Sequence, residues 1–281
     1  MAIYNLGSVN IDHVYRVPHL PLPGETLAST DFNSGLGGKG ANQSIAIGRA
    51  GGTVNHIGAI GPEGGWTREI LRVSGVNVEH LQTVEVPTGH AIINVDDAGE
   101  NAIVLFAGAN VALTETHIDQ ALSGTASGDW LLLQNETSLG QYAARIAHEK
   151  GMSVAYSAAP FDADSAAKML PFTDLLAVNE IEASQLAQAG LSAKKTLITK
   201  GADGATFGDV SVDAFKVDPV DTTGAGDTFL GYFMAALDQG VSAQDALTRA
   251  AAASALQVTR HGAADAIPTM AEVSEFIEEN T

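Results

Sequence analysis

The chain contains no cysteine among its 281 residues. It can therefore form neither a disulfide bond nor a thiolate centre, and cysteine usage says nothing about its redox compartment. It also lacks any apolar run close to the roughly 20 residues that a membrane-spanning helix needs. Residues 1–9 have neither the basic start nor the long apolar segment of a signal peptide, so we expect a cytoplasmic protein.

Basic residues are scarce, with 14 Lys and Arg against 33 Asp and Glu, and the net charge is −19. This balance argues against a general affinity for nucleic acid or anionic membranes. An anionic ligand would have to be held by backbone N–H groups, a metal ion or a few specific basic side chains. The eight histidines are scattered without the paired spacing of a zinc site.

Strands and helices alternate along most of the chain. The predicted strands cover residues 2–9, 53–60, 129–134, 153–157, 175–178, 196–199 and 211–217. The predicted helices cover residues 44–50, 66–73, 113–122, 139–150, 229–237 and 242–260. This alternation predicts one α/β domain over residues 1–281, with a mainly parallel sheet and helices on both faces.

A second, smaller sheet is predicted from the hydrophobic pattern. Residues 90–95 and 101–106 alternate on either side of Asp97-Ala98-Gly99-Glu100, which is typical of a β-hairpin. Residues 13–36 lack a helical pattern and are rich in proline, and their part 26–34 is polar and irregular. We expect this segment and the hairpin to form a small sheet outside the main one.

Three carboxylates lie close together in the hairpin, at Asp96, Asp97 and Glu100. They could be mistaken for a metal site, but alternation along the strands points them in different directions. We interpret them as a solvated turn.

The segment Asp221-Thr222-Thr223-Gly224-Ala225-Gly226-Asp227-Thr228-Phe229 runs from small residues into a predicted helix. Free N–H groups at a helix start form an anion site, and small residues let a ligand approach the backbone closely. The carboxylate of Asp227 lies in the first helical turn. An ordinary helix cap is the structural alternative, but a cap does not need three small residues before the acid. The pattern favours transfer of a phosphoryl group to a hydroxyl.

Glycines also surround Lys39 in Gly35-Leu36-Gly37-Gly38-Lys39-Gly40-Ala41-Asn42-Gln43. This stretch satisfies G-x-G-x-x-G, and a dinucleotide-dependent oxidoreductase is the corresponding alternative function. However, that motif should follow the first strand directly, and here some 25 residues intervene. The stretch also departs from a phosphate-binding P-loop, because Gly40 follows the lysine where Ser or Thr is required. We interpret it as a glycine-lined pocket that receives Lys39 and Asn42.

Polar residues follow four predicted strands, at 10–12, 135–136, 179–182 and 200–204. The carboxyl ends of parallel strands meet at one edge of the sheet, where ligands bind in open α/β folds. Asn10 and Asp12 could also form a simple Asx turn. The convergence of all four sets predicts a binding site at that edge.

These motifs together resemble those of the ribokinase-type sugar kinases in the PfkB carbohydrate kinase family. Asp221–Phe229 is similar to the family's C-terminal signature, and Gly37–Gln43 to its N-terminal one. Gly7-Ser8-Val9-Asn10-Ile11-Asp12 and Pro23-Gly24-Glu25-Thr26 match as well. The resemblance covers essentially the whole chain and implies a ribokinase-like fold.

The resemblance also implies the residues of a kinase site. Asp227 would be the general base, without any need for a raised pKa, and the N–H groups of Gly224, Ala225 and Gly226 would form an anion hole. The implied sugar ligands are Asn10, Asp12, Gly38, Lys39, Asn42, Glu136 and Asp227. The implied nucleotide-binding residues are Asn179, Thr199, Lys200, Gly201, Ala202, Asp203, Gly204 and Gly226.

Two cations are implied as cofactors beside ATP. Glu182, within the N-x-x-E element, would help to position Mg²⁺. A monovalent cation, usually potassium, would be bound mainly by carbonyl groups of Asp221, Thr223, Gln257, Arg260, Gly262 and Ala266. Residues 13–36 and 88–107 would form a lid that also builds a homodimer.

The only basic residue between Arg16 and Arg49 is Lys39, and a phosphorylated acceptor would require more. The resemblance therefore implies phosphorylation of a neutral sugar, D-ribose, at its 5-hydroxyl. Another neutral sugar or a nucleoside remains the alternative acceptor within the fold. A catalytically silent sugar-binding relative is a further alternative, against which Asp227 and the complete anion hole argue.

Overall fold

A computed structural model describes residues 1–280. In chain order the strands are β1 (Ile3–Leu6), β2 (Asn10–Arg16), β3 (Asp31–Gly37), β4 (Val54–Ile60), β5 (Val76–Asn77), β6 (Leu81–Thr83), β7 (Gly89–Val95), β8 (Asn101–Phe106), β9 (Trp130–Leu133), β10 (Ser153–Ser157), β11 (Leu175–Asn179), β12 (Thr196–Thr199), β13 (Ala205–Phe207) and β14 (Val210–Val212). The helices are α1 (Lys39–Arg49), α2 (Gly65–Val73), α3 (Glu115–Ala121), α4 (Gly140–Glu149), α5 (Ala163–Met169), α6 (Glu180–Gln188), α7 (Ala225–Asp238), α8 (Ala243–Val258) and α9 (Met270–Asn280).

Ten strands form the main sheet, in the order β14-β13-β12-β11-β10-β9-β1-β4-β5 with β6 also paired to β4. The strands from β12 to β5 in that order pair in parallel, and β13 and β14 pair antiparallel at one edge. The prediction of a mainly parallel sheet is therefore confirmed. The carboxyl ends of β12, β11, β9 and β1 lie at the same edge of the sheet. The prediction of a binding site from the polar residues after these strands depends on this arrangement.

Hydrophobic cores cover both faces of this sheet. Along β9, Leu131 and Leu133 pack into one core and Leu132 into the other, and all three are fully buried. Strands that are apolar at every position are expected where helices cover both sides of a parallel sheet. One core includes residues of α1, α7, α8 and α9, and the other includes residues of α3 to α6.

A separate four-stranded sheet, here called the small sheet, has the order β3-β2-β7-β8. β2 pairs antiparallel with β3 and parallel with β7, and β7 and β8 form the predicted antiparallel hairpin. In the hairpin turn, Asp96 Oδ1 accepts hydrogen bonds from the N–H groups of Ala98 and Glu100, both at 2.9 Å. In residues 1–280 no group of three or more acidic or histidine side chains is arranged to hold a metal ion.

Two predicted strand boundaries were wrong. The first strand ends at Leu6, and Asn10 already begins β2 in the small sheet, so Asn10 and Asp12 lie on a strand rather than in an Asx turn. Residues 26–34 were expected to be irregular, yet β3 begins at Asp31. The first four side chains of β3 are exposed, so backbone pairing to β2 forms the strand without a hydrophobic pattern.

Helix α1 begins at Lys39, five residues before the predicted start, directly after Gly38 with φ 92°. Glycine is a poor helix former, so the sequence does not indicate a helix at Gly40. It is required here by close contact, since a Cβ at Gly40 would lie 2.3 Å from the Cα of Gly7. Lys39 and Asn42 therefore project from the first turn of a helix rather than from a loop.

The strand predicted at residues 211–217 is instead the shorter strand β14, Val210–Val212. Phe215 leaves the sheet and packs edge-on against Phe276 of α9, with ring centroids 5.2 Å apart. Within the described residues, no helix has the length and hydropathy needed to cross a membrane.

Candidate active site

A cleft opens where the carboxyl ends of the central strands face the start of α7. It is lined by Lys39, Ser157, Ala159, Ala177, Val178, Asn179, Glu182, Leu197, Thr199, Thr222, Gly224, Ala225, Gly226, Asp227 and Leu230. Eight of the predicted site residues are in this set: Lys39, Asn179, Glu182, Thr199, Gly224, Ala225, Gly226 and Asp227. Residues that are distant in sequence thus meet at one place.

Asp227 lies in the first turn of α7. Its Oδ1 accepts a hydrogen bond of 2.8 Å from Gln43 Nε2, and its Oδ2 accepts one of 3.3 Å from Asn42 Nδ2. Burial raises the pKa of Asp227 to about 6, although the charge of Lys39 and the bond from Gln43 act in the opposite direction. An ionised carboxylate with this pKa can accept a proton from a hydroxyl near neutral pH.

The loop before α7 places backbone N–H groups at the cleft. Gly224 is the N-cap of α7 with φ 76°, a conformation that favours glycine. The Ala225 N–H donates to the carbonyl of Thr222, which lies before the helix, at 3.2 Å. The N–H groups at the start of a helix have no partner within the helix itself. A helix start beside a carboxylate is a position where backbone N–H groups can bind an anion.

Lys39 and Glu136 form a pair at the other side of Asp227. Lys39 Nζ lies 3.8 Å from Glu136 Oε1, and the Lys39 N–H donates to Glu136 Oε2 at 3.1 Å. Burial lowers the pKa of Lys39, but the carboxylates of Asp227, Glu136 and Glu182 outweigh it and the net shift is upward. Lys39 therefore stays charged and is the one basic side chain lining the cleft among the described residues.

Asn10 and Asp12 enter the site from strand β2. Asn10 Oδ1 accepts a hydrogen bond of 2.8 Å from Asn110 Nδ2, and Asn110 Oδ1 in turn accepts one of 2.9 Å from the N–H of Val9. Burial, with the nearby charge of Glu136, raises the pKa of Asp12 to about 6. Asn110 is itself buried, and no motif in the sequence pointed to it.

Asn179 and Glu182 form a capping box at the start of α6. Asn179 Oδ1 accepts from the Glu182 N–H at 2.9 Å, and Glu182 Oε2 accepts from the Asn179 N–H at 2.8 Å. The N-x-x-E spacing thus also has a structural role, because it caps the start of α6. Burial raises the pKa of Glu182, so a cation near its carboxylate would be stabilising.

The predicted nucleotide loop follows β12. Gly201 and Gly204 have φ 55° and 89°, and Lys200 N–H donates to the Gly204 carbonyl at 2.8 Å. Of this loop only Thr199 lines the cleft, and Lys200, Gly201, Ala202, Asp203 and Gly204 lie beyond it. The loop is therefore a tight turn at the rim.

The residues predicted to bind a monovalent cation are joined by hydrogen bonds behind α7. The N–H groups of Thr223 and Gly262 donate to the two carboxylate oxygens of Asp221, at 2.9 and 3.0 Å. Burial alone would raise the pKa of Asp221, but these bonds outweigh it and the pKa lies below its ordinary value. The Arg260 N–H donates to the Gln257 carbonyl at 2.9 Å, and Ala266 is buried.

Two functional contacts were missed from the sequence. Gln43 lies within the N-terminal motif, and the sequence predicts no role for it, although it makes the shorter hydrogen bond to Asp227. Gln257 was expected to contribute a carbonyl, yet its side-chain Nε2 also donates to the carbonyl of Thr223 at 2.8 Å. The helical spacing from Lys39 to Gln43 could have placed Gln43 on the same face as Lys39 if α1 had been started correctly.

Comparison with known proteins identifies similar chains. A model of the pfkB family of carbohydrate kinases matches residues 3–270. A ribokinase from Haemophilus influenzae is 37% identical, and the match covers 97% of each chain.

Solved structures agree in fold. The crystal structure of ribokinase from Cryptococcus neoformans var. grubii serotype A in complex with ADP has a TM-score of 0.83 at 34% identity, covering 98% of each chain. The structure of Arabidopsis thaliana ribokinase complexed with ribose and ATP has a TM-score of 0.86 at 27% identity, covering 99% of each chain.

Proposed function

The chain belongs to the pfkB family of carbohydrate kinases, and we propose that it transfers the γ-phosphoryl group of ATP to the 5-hydroxyl of D-ribose. The observation that carries the proposal is the position of Asp227. Its half-buried carboxylate lies in the same helical turn as the anion-site N–H groups and lines the same cleft as Lys39. A base for a hydroxyl and donors for a phosphoryl group are both needed for this reaction.

Asp227 is the proposed general base, and it takes the proton of the sugar hydroxyl as the hydroxyl oxygen attacks the γ-phosphorus. The N–H groups of Gly224, Ala225 and Gly226 stabilise the negative charge on the transferred group. The sugar's other hydroxyls are proposed to bind Asn10, Asp12, Asn42 and Glu136, with Gly38 and Lys39. The hydrogen-bonded carboxylates and amides of this set suit a neutral polyol better than a phosphorylated acceptor.

The proposed nucleotide site comprises Asn179 and Gly226 together with the loop Thr199-Lys200-Gly201-Ala202-Asp203-Gly204. We propose that Mg²⁺ is held near Glu182, partly through water. One oxygen of Glu182 serves the capping box, which leaves Oε1 for a cation. The upward pKa shift of this partly buried carboxylate fits such a role. When bound, Mg²⁺ would neutralise charge on the ATP phosphates.

A monovalent cation, potassium, is proposed to bind near Asp221 and the backbone carbonyls of Thr223, Gln257, Arg260, Gly262 and Ala266. Asp221 is held ionised by its two N–H donors. In the described residues, the buried Oε1 of Gln257 has no hydrogen-bond partner, and its amide contacts the Thr223 carbonyl. An unpaired buried oxygen is a possible ligand for a hard cation.

The small sheet is proposed to act as a lid over the sugar and as the contact of a homodimer. Its β2 carries Asn10 and Asp12 on the side that faces the site. Alternation places Ile11, His90 and Phe106, which pair across the strands, on the opposite side. Val104, on that same side, is 66% exposed, and such an apolar face favours protein contact. We propose that the kinase works in the cytoplasm, where ATP is supplied.

The closing test is an assay of ADP release with a panel of acceptors, namely D-ribose, deoxyribose, fructose, fructose 6-phosphate and adenosine. We expect ribose to give the highest kcat/KM. Preference for fructose or adenosine would favour the alternative of another neutral sugar or a nucleoside. An absence of turnover with every acceptor would refute the kinase proposal and favour a sugar-binding relative.

The oxidoreductase alternative is not favoured by the geometry. Gly35, Gly37 and the paired residues of β2 belong to the small sheet, and Gly40 packs against Gly7. These glycines therefore serve strand pairing and helix packing rather than a dinucleotide-binding turn after the first strand.

A further inference from the structure

A continuous set of buried polar side chains leads from Asp227 into the main sheet. In order from Asp227, its members are Gln43, Gln134, Asn5, Ser44 and His56. Gln134 is 3% exposed and the other four are fully buried. Buried polar side chains are costly unless their hydrogen bonds are made, so such a set requires an explanation.

The direction of the first bonds is fixed by chemistry. The ionised carboxylate of Asp227 can only accept, so Gln43 must present Nε2 to it and turn Oε1 away. Gln43 Oε1 accepts from Gln134 Nε2 at 2.7 Å, and the same nitrogen donates to Asn5 Oδ1 at 2.8 Å. Both hydrogens of the Gln134 amide are thus used, and rotating that amide would break two bonds.

The far end of the set is anchored in the core. Asn5 Nδ2 donates to Ser44 Oγ at 2.8 Å and to the carbonyl of Gly40 at 2.9 Å. Ser44 Oγ lies 2.8 Å from His56 Nδ1, and burial lowers the pKa of His56 to about 4, so its ring is neutral at pH 7. Neither strand β1 nor helix α1 can move without disturbing these bonds.

We propose that Gln43 and Gln134 are positioning residues for phosphoryl transfer: Gln134 fixes the amide of Gln43, and Gln43 fixes the carboxylate of Asp227. This inference rests on the proposed role of Asp227 as the base. Oδ1 is held by the 2.8 Å bond from Gln43, whereas the bond from Asn42 to Oδ2 is longer at 3.3 Å. Oδ2 is consequently the oxygen that faces the sugar hydroxyl and takes its proton.

The substitutions Gln43→Met and Gln134→Met test this proposal, because methionine is unbranched and of similar length but cannot donate. The bond from Gln43 lowers the pKa of Asp227, so its loss should raise that pKa. NMR titration of the Asp227 carboxyl carbon measures this pKa without any turnover. The signal is assigned by its absence from the spectrum of Asp227→Asn. We expect the midpoint to rise by about one pH unit in Gln43→Met and by a smaller amount in Gln134→Met.

Kinetics provide the second readout. In both variants kcat for ribose should fall, by about tenfold in Gln43→Met, while KM changes little, since neither residue is proposed to contact the sugar. Asn55→Ala is the matched control: it removes another buried amide of the main sheet, which is bonded to Asn77 and not to this set. Its Asp227 midpoint and kcat should equal those of the wild type.

An unchanged Asp227 midpoint in both methionine variants would overturn the proposal, whatever the activity. A wild-type protein that phosphorylates no acceptor would instead refute the proposed function, and the titration would still decide whether Gln43 acts on Asp227. If a methionine variant does not fold, the leucine variant at the same position, Gln43→Leu or Gln134→Leu, replaces it, because leucine has no hydrogen-bond donor and carries no charge. The same rise in midpoint is then expected.

Discussion

The side chain of Gln257 reaches from α8 to the loop before α7 and donates a hydrogen bond of 2.8 Å to the carbonyl of Thr223. Gln257 is fully buried, and a Cβ placed on Gly224 would lie 3.1 Å from its Nε2. The amide therefore supports the residue at which the anion-site loop turns into the helix. Anion-site donors contribute to the rate only when they are held in place before the reaction.

The variant Gln257→Leu removes this support and leaves the Thr223 carbonyl without its donor. We expect kcat to fall about tenfold, equivalent to roughly 1.4 kcal/mol of transition-state stabilisation, with KM for the sugar nearly unchanged. Steady-state ADP release measures both constants. Thr248→Ala on the same helix is the control, because that hydroxyl bonds only to Gln244 of its own helix. Equal kcat in Gln257→Leu and Thr248→Ala would contradict the role.

The variant Asp227→Asn should lower kcat by about 10²–10⁴-fold, because an amide cannot accept the proton of the hydroxyl. In the wild type the pKa of Asp227 is about 6, and only the ionised form is active. We therefore expect kcat/KM to decline as the pH falls through about 6, rather than through the value near 4 of an ordinary aspartate. A pH profile of kcat/KM for the sugar measures this, and an acid limb near pH 4 would contradict it.

Much of the architecture could be predicted because the central strands are short apolar runs that β-branched and leucine residues mark clearly. Strands β10 and β12 begin and end at the predicted residues. The failures have a common physical origin. The first four side chains of β3 are exposed and the strand forms by pairing with β2, and Gly40 in α1 is selected by its contact with Gly7, so neither is visible in local side-chain patterns.

The site was predictable to the extent that its residues lie in contiguous motifs. Asp227 and Lys39 were found in this way, and the structure brings them to one cleft. Asn110 and Gln134 lie far from those motifs, and only the tertiary fold brings them to Asn10 and Gln43. The raised pKa of Asp227 could not be predicted either, because burial depends on packing.

The variant Asp12→Asn should be more stable than the wild type at pH 7. The pKa of Asp12 is raised to about 6 in the folded protein, so ionisation costs stability as the pH rises from about 4 to 6. Asparagine avoids that cost, with an expected gain of about 1–2 kcal/mol at pH 7. Below pH 4 the Asp12 carboxyl is protonated in both the folded and the unfolded state, so the gain in the free energy of unfolding should vanish. Urea unfolding at pH 7 and pH 3.5 measures both values, and a gain independent of pH would contradict the assignment.

The monovalent cation can be tested through the protein as well as through its activity. With potassium replaced by a large organic cation at equal ionic strength, we expect a lower kcat and a lower thermal midpoint. Asp221→Asn should abolish both differences, because it removes the only charged ligand of the proposed set. Identical kcat and thermal midpoint of the wild type in the two salts would argue against the site.

The variant Val104→Arg should convert a homodimer into a monomer. Val104 lies on the face of the small sheet directed away from Asp12, and it is 66% exposed, so the substitution leaves the monomer's packing intact. A buried, unpaired arginine at a dimer contact would cost several kcal/mol. Light scattering coupled to size-exclusion chromatography measures the mass. Val73→Arg on α2 is the matched control, because Val73 is also 66% exposed but lies outside the small sheet. A dimer that persists in Val104→Arg, or dissociates equally in Val73→Arg, would place the contact elsewhere.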